Sequence, residues 1–490
     1  MKRFLQLLGA VVVAIVGVLV VNTMRSARAA DAAVVPVDVA VDSVGAIGRF
    51  SKALTFPTIS YDPGTHPTDS AAFRALQAHF VTSFPLVHQK LKRETIGLAL
   101  LYSWPGSDPS LDPVVLMGHQ DVVPVIPGTE NRWEQPPFGG VVNGGYIWGR
   151  GSLDDKVSVL AILESIEGLL RAGFQPKHTI YLAFGHDEEI GGHGAETLRD
   201  TLIARGLKHA ALVIDEGGTV TDGAALGVTG KVALIGVAEK GYLTLELTAN
   251  GKGGHSSTPP AHSAIGVLAT AITKLEASPF PMTLDGPTEA MLESVRARMP
   301  FSRRLALSNL WLLRGAVVRA LSAAPMSASM MRTTTAVTII GGGVKANVLP
   351  IDAKASVNFR IRPGESVASV TARVVQTIND TSVHVAAVGF AREPSTVSDA
   401  NGAGFAAISQ SVREVMGGAD VTVAPFLLMA GTDARAWSAK SSQVFRFIAA
   451  PPDADVLTRV HGTNERVTPA AYLTAVRFFD RLVHHTDDLP

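Results

Sequence analysis

The sequence predicts an α/β fold in which helices layer on a largely parallel sheet, with a smaller α+β unit of β-α-β-β-α-β order inserted into it. Three observations carry this prediction. Short apolar runs, Val114–Met117, Thr179–Phe184 and Ala211–Ile214, alternate with the helical patterns Lys156–Arg171 and Ala195–Ala204, as buried strands and crossover helices do. Each run stops abruptly at a polar cluster, GHQD, GHDEE or DEGG, and open α/β sheets bind ligands at the carboxyl ends of their strands. Around Glu239 the texture then changes to alternating strands and separate helices, which marks a second unit.

Taken in order, Met1-Lys2-Arg3 precedes an apolar run from Phe4 to Val21, about eighteen residues, near the length that spans a bilayer. The run has no polar face, so a buried core helix fits it poorly. The basic residues before it favour a cytoplasmic N-terminus. Residues 1–30 are therefore expected to be a membrane anchor. The alternative is a signal peptide removed at Ala27-Arg28-Ala29, an A-x-A site. Either way the rest of the chain is expected outside the cytoplasm, secreted or periplasmic if cleaved. A short Ala/Val/Pro linker, Asp31 to Asp38, follows.

The main domain is expected over 36–238 and 391–490, and the inserted one over 239–390. In the insert, strand Tyr242–Thr248, helix Ala261–Ala277, strands Thr333–Ile340 and Ala353–Ile361, helix Ser366–Asn379 and strand His384–Val388 follow one another. Residues 278–332 separate its first helix from its second strand. Scattered Leu, Trp and Val with paired Arg make this segment read as a helical insertion. The chain returns with a helix at Ala400–Val415, strands Val421–Ala424 and Val444–Ile448, and a closing helix Pro469–His485.

Composition narrows the function. A chain of 490 residues exceeds one compact core. Lys+Arg and Asp+Glu are both 43, so nothing attracts a phosphate backbone and nucleic acid is not an expected partner. Cys is absent, so a bound metal must sit on histidines and carboxylates.

Such residues end five segments: His119 in MGHQDVVP, Asp154 in WGRGSLDDK, Glu188-Glu189 in GHDEEIGG, Asp215 in VIDEGG and His461 in RVHGTNE. Singly, an acidic pair after a strand is usually a helix start, and a lone His before Gly a surface turn. Their joint occurrence points to a metal. His178, His193, His262 and the His484-His485 pair are read as surface residues.

From about Phe50 to the C-terminus the chain resembles the co-catalytic zinc exopeptidases and deacylases that include aminoacylase, carboxypeptidase S and acetylornithine deacetylase. The signatures GHxDVVP, GRGxxDDK, DEE, GGHSSTPP and GGxKxNVxP stand in that family's order. The resemblance implies a zinc-exopeptidase α/β/α catalytic domain with an inserted lid or dimerisation domain. It implies two Zn²⁺ ions, for which Co²⁺ or Mn²⁺ may substitute. Asp154 would bridge the ions, His119 and Asp215 would complete one, and Glu189 and His461 the other. Either carboxylate of Asp215-Glu216 could be that ligand, and Asp215 is chosen because relatives place the acid directly at the strand end.

By the same resemblance Asp121 orients the His119 imidazole and Glu188 is the general base. His255 polarises the scissile carbonyl, while Asn347 and Arg360 hold a substrate carboxylate. A guanidinium suits that task because it binds carboxylates bidentately and stays charged. Gly431 and Thr432, at a helix start, offer backbone N–H groups to an anion. A cis peptide bond is expected at Asp154-Asp155, and relatives often pair two subunits through the inserted domain, making a homodimer the expected assembly.

The function this implies is hydrolysis of the amide bond in N-acyl amino acids or short peptides with a free C-terminal carboxylate, as in carboxypeptidase S and the N-fatty-acyl amino acid hydrolases. The alternatives are a small-metabolite deacylase of the acetylornithine deacetylase or succinyl-diaminopimelate desuccinylase type, and a non-catalytic binding protein of the same fold. The N-terminal segment and the apolar insertion 278–332 favour the first, and the filled ligand and base positions disfavour the last.

Overall fold

In the computed structural model, which describes residues 1–26, 34–62, 64–418, 421–453 and 455–490, the apolar runs become strands of a nine-stranded mixed sheet. The Ala27-Arg28-Ala29 site and the start of the linker lie outside the described residues. Four central strands, Ile180–Gly185, Val114–His119, Leu212–Asp215 and Val444–Arg446, run parallel in that spatial order. On one side the hairpin Lys92–Ile96 and Ala99–Trp104 adds two antiparallel strands. On the other, Lys231–Glu239 and Val421–Leu428 pair in parallel, and Val220–Asp222 pairs off Lys231–Glu239. Pro425 sits in Val421–Leu428, the last strand in the order, where a missing N–H costs no ladder bond.

Burial explains the unbroken apolar character of helix Lys156–Arg171, of which thirteen residues are buried. It is wedged between the sheet and the closing helix Pro469–Thr486 in the largest core cluster. Its acidic residues are not stranded there. Glu164 accepts from Arg49 Nε at 2.6 Å, and Glu167 from the N–H groups of Leu86 and Val87.

The inserted unit is a four-stranded antiparallel sheet in the order Thr334–Gly342, Asp352–Ile361, Gly241–Asn250 and Val383–Ala387. Its buried residues alternate along Gly241–Asn250 and face helices Ala264–Ala277 and Val367–Ile378, closing a core of their own. Ser263 and Ser366, which the sequence reading put inside these helices, are their N-caps, because a serine hydroxyl satisfies an otherwise unpaired first-turn N–H. A separate two-stranded antiparallel ladder pairs Gly254–His255 with Val348–Leu349.

Residues 278–332 do form helices, Gly286–Val295, Phe301–Leu307, Leu310–Leu321 and Pro325–Met330. Their core includes Val232 and Ala424 of the main sheet, so they cover its end. The N-terminal segment is one helix, Lys2–Ser26, whose mean hydropathy over its most apolar eighteen residues is 2.8. His178, expected at the surface, is buried, its Nδ1 within 2.6 Å of the Asp112 carbonyl.

Candidate active site

The strand ends converge as the topology requires. His119 closes Val114–His119 and is buried. Its Nε2 lies 3.0 Å from Asp154 Oδ1 and 3.3 Å from Glu216 Oε1. The other Asp154 oxygen, Oδ2, lies 3.1 Å from His461 Nε2, which is itself 3.1 Å from Glu189 Oε2. Two donor groups result, His119–Asp154–Glu216 and Asp154–Glu189–His461, sharing Asp154. Donor atoms about 2.1 Å from one tetrahedral ion stand roughly 3.4 Å apart, so the spacing fits a metal pair with N and O ligands. The set lacks a neutral explanation. Glu189 Oε1 is buried with no hydrogen-bond partner among the described residues, and four carboxylates, Asp154, Glu188, Glu189 and Glu216, face two imidazoles.

The structure brings Glu216 to this group in place of the expected Asp215. Successive side chains leave a strand on opposite sides. Asp215 turns away from His119 Nε2 and accepts from the Ala434 N–H at 2.7 Å and the Glu216 N–H at 3.0 Å. It braces the short helix Asp433–Trp437 instead.

Electrostatics follow from this crowding. Burial pulls the His119 imidazole down, but the Asp121, Asp154 and Glu216 carboxylates outweigh it and hold the ring well above its ordinary value. Hydrogen bonds that the His461 ring donates to Asp154 and Glu189 push it up to about 10. Burial, with the charges of Asp433, Glu189 and Asp154, raises Glu188 well above the carboxylate range despite the nearby His119. Burial, then Asp154 and Asp155, does the same to Glu216. Burial is also the main cause that lifts Asp215 to about 6.

Asp121 is buried beside this centre. Its Oδ1 lies 3.3 Å from His119 Nδ1 and accepts from the Glu188 N–H at 3.2 Å, while Oδ2 accepts from Glu189 N–H at 3.2 Å and Ser60 Oγ at 2.7 Å. Asp121 thus fixes the His119 ring, whose Nδ1 also lies 3.0 Å from the Asp121 carbonyl, and its carboxylate fixes the turn that carries Glu188 and Glu189. The peptide bond Asp154-Asp155 is cis.

Other residues at the site escaped the sequence reading. Glu465 and Arg150 form a buried ion pair at 2.6 Å. Glu465 Oε1 accepts from the N–H groups of Gly151, Leu153 and Asp154, and Arg150 donates to the Gly462 carbonyl at 2.8 Å. Together they tie the Asp154 loop to the His461 loop. Their signal was present in GRGxxDD and HGTNE, but a buried charge pair leaves no periodicity. Asp155 accepts from the His119 N–H at 3.3 Å.

The expected substrate residues belong to neither donor group. His255 and Asn347 are exposed and meet beside the two-stranded ladder, where Ser256 N–H donates to the Asn347 carbonyl at 3.3 Å. Arg360 is half-buried in the inserted sheet, its guanidinium 4.8 Å from the Tyr242 ring centroid. Asn358 donates to Thr244 Oγ1 at 3.1 Å. The anion role given to Thr432 meets an obstacle: its N–H already donates to the buried Glu239 carboxylate at 2.6 Å, which also takes Arg446 at 3.1 Å. Gly431, half-buried, precedes it.

Comparison with known proteins agrees with this geometry. The model of peptidase family M20/M25/M40 matches residues 115–485. The chain is 38% identical over 443 residues to the probable carboxypeptidase S-like 2 of Dictyostelium discoideum, covering 90% of this chain and 84% of that one. It is 36% identical over 439 residues to the human N-fatty-acyl-amino acid synthase/hydrolase PM20D1, covering 89% and 86%. Carboxypeptidase S of Saccharomyces cerevisiae is 33% identical over 480 residues, with 88% and 82% covered. Among solved structures, the fold is similar to the M20 family metallo-carboxypeptidase Sso-CP2 of Sulfolobus solfataricus, with a TM-score of 0.67, 19% identity and 91% and 99% of the two chains covered.

Proposed function

The chain belongs to peptidase family M20/M25/M40, and from that premise we propose that this amide-bond hydrolase acts on N-acyl amino acids or short peptides that carry a free C-terminal carboxylate. The observation that carries the reading is the division of Asp154, one oxygen to His119 and Glu216 and the other to Glu189 and His461. Two Zn²⁺ ions would be held there, with Glu216 in place of Asp215. When bound, they supply Lewis-acid activation of a water and of the scissile carbonyl.

The chain's own groups do the rest. Glu188 takes the proton of the attacking water and returns it to the leaving nitrogen, a task that suits a carboxylate set at the edge of a buried metal pair. Asp121 holds His119 in the ring orientation that presents Nε2. His255 faces the developing oxyanion, and Arg360 with Asn347 takes the substrate carboxylate. The residues 36–238 with 391–490 form the catalytic part and 239–390 the lid. The names of the relatives favour this substrate class over an acetylornithine-type deacylase. Lys2–Ser26 anchors the enzyme in a membrane with the catalytic part outside the cytoplasm.

The test is kcat/KM for an N-acyl series on phenylalanine and on phenylalanine carboxamide. A carboxylate bound by a guanidinium makes charge-assisted bonds of roughly 1.5–3 kcal/mol, so the amide should lose ~10- to 100-fold. Equal rates for acid and amide would remove the assigned substrate class. Glu188→Gln should retain the ions and lose about 100- to 10,000-fold in rate.

A further inference from the structure

The helical insertion carries an exposed apolar face next to the N-terminal helix. Phe301, Trp311 and Leu312 are exposed, Trp311 by 62%, and Gly315, Ala316 and Arg319 continue the open face of Leu310–Leu321 at helical spacing. Isolated exposed apolar residues need no explanation, whereas a contiguous patch does.

What covers this face follows from its neighbour. The apolar run of Lys2–Ser26 begins at Phe4 and ends at Val21. At 1.5 Å per residue it is roughly 27 Å long, close to the hydrocarbon thickness of a bilayer. Its far end is therefore the membrane boundary, and there it is bonded to the insertion. Asn22 donates to Asn309 Oδ1 at 2.9 Å, Asn309 donates to the Leu19 carbonyl at 3.2 Å, and Ser308 donates to Ser26 Oγ at 2.8 Å. Thr23 and Asn309 are fully buried in this contact. Leu19 and Asn22 differ by about 4.5 Å along the helix, so Asn309 is fixed at the depth where acyl chains give way to headgroups.

Trp311 and Leu312 follow Asn309 by two and three residues, within one helical turn of it. Tryptophan concentrates at that depth, where an apolar ring and a polar N–H are both satisfied. Exposed Arg303 and Arg319 suit the phosphates of the same layer.

We propose that Phe301–Leu307 and Leu310–Leu321 rest on the outer surface of the bilayer spanned by Lys2–Ser26, with Phe301, Trp311 and Leu312 embedded among its headgroups. The proposal rests on the reading of Lys2–Ser26 as a retained anchor. The insertion is then a membrane platform that holds the catalytic part in one orientation to the lipid.

The sequence supplies its own probe. Of the five tryptophans, none lies in the N-terminal helix, and Trp104, Trp148 and Trp437 are buried. The full chain is reconstituted in phosphatidylcholine–phosphatidylglycerol vesicles with or without bromine on the upper acyl chain, floated on a density gradient, and its tryptophan emission compared. Brominated lipid should quench part of the emission, and Trp311→Phe should abolish that loss while keeping flotation. Floating protein whose emission is the same in both lipids, or is quenched equally in Trp311→Phe, overturns the docking alone. Protein that does not float overturns the anchor reading, and the docking with it. Neither readout depends on catalysis, so the hydrolase assignment stands or falls separately.

Discussion

Whether Asp215 or Glu216 serves the site is decided by direction rather than by distance along the chain. Asp215 is committed to the Ala434 and Glu216 N–H groups, whereas Glu216 faces His119. Glu216→Gln should therefore lower the bound metal toward one ion per chain, while Asp215→Asn should keep two and lose stability, read by metal analysis beside thermal melting. Equal metal loss in both would return the ligand role to Asp215. The same crowding sets a pH dependence for the metal-free protein. Glu188, Glu189 and Glu216 are raised by burial, Asp215 is raised to about 6 and His461 to about 10. Each binds its proton more tightly folded than unfolded, so its contribution is full below the unfolded value and is lost as pH rises through the folded one. Asp154 and Asp121 are lowered, but their contribution changes only near and below the ordinary Asp range. Burial lowers Lys156 to about 7 and Lys240 to about 8, and these oppose the trend above those values, so the metal-free chain should melt at falling temperature between about pH 5 and 7. Metal-loaded protein should gain relative to it, because binding releases these protons. A melting temperature of the metal-free protein that rises over that interval would contradict the geometry.

The loops after the strands are held by charge as much as by packing. Glu465 receives three backbone N–H groups of the Asp154 loop and the Arg150 guanidinium, all in a buried setting. Removing one partner of a buried pair leaves the other uncompensated, at about 3–5 kcal/mol. Glu465→Gln should lose stability of that order in denaturant titration and weaken metal binding ~10- to 100-fold, since outer groups orient the ligands. Replacing Arg150 and Glu465 together by methionine should recover part of the stability and none of the metal affinity. Elements with a strong local signature were legible in the sequence. The parallel strands Val114–His119 and Ile180–Gly185 end in polar clusters, and the inserted β-α-β-β-α-β order alternates clearly. His119 and Glu189 stood at such ends, while Asp154 and His461, which the structure gathers with them, lie in loops and were marked by the family signatures. Less legible were strands Ala99–Trp104 and Lys231–Glu239, whose middles are largely apolar and which end in none of the donor residues. The Arg150–Glu465 clamp and Ser60 were hidden because their partners lie far away in sequence. Thr432 misled because a helix-start N–H was counted as free, when Glu239 had already taken it.

At the scale of the whole molecule, the incompleteness of a single copy becomes informative. His255 and Asn347 are exposed and belong to neither donor group, though the proposed chemistry needs them over the metals. The inserted sheet ends in strand Thr334–Gly342, whose Ile339 and Ile340 are 66% and 64% exposed. An unpaired edge with apolar side chains is a template for another strand. The insertion leaves it open, because helix Gly286–Val295 packs on Val421–Leu428 instead. We propose that two copies join along this edge and that each His255 then serves the other's metal centre. The expected outcome is a dimer in light scattering that Ile340→Lys converts to monomer with loss of activity. Shared sites make a sharper demand. His255→Ala and Glu188→Gln chains should each be nearly inactive alone. Co-expressed at equal levels, half of the dimers are mixed and each mixed dimer holds one intact site, so activity should return to about one quarter of wild type. If His255 serves its own chain, no pairing of these two variants creates an intact site, and the co-expressed protein stays as inactive as its parents.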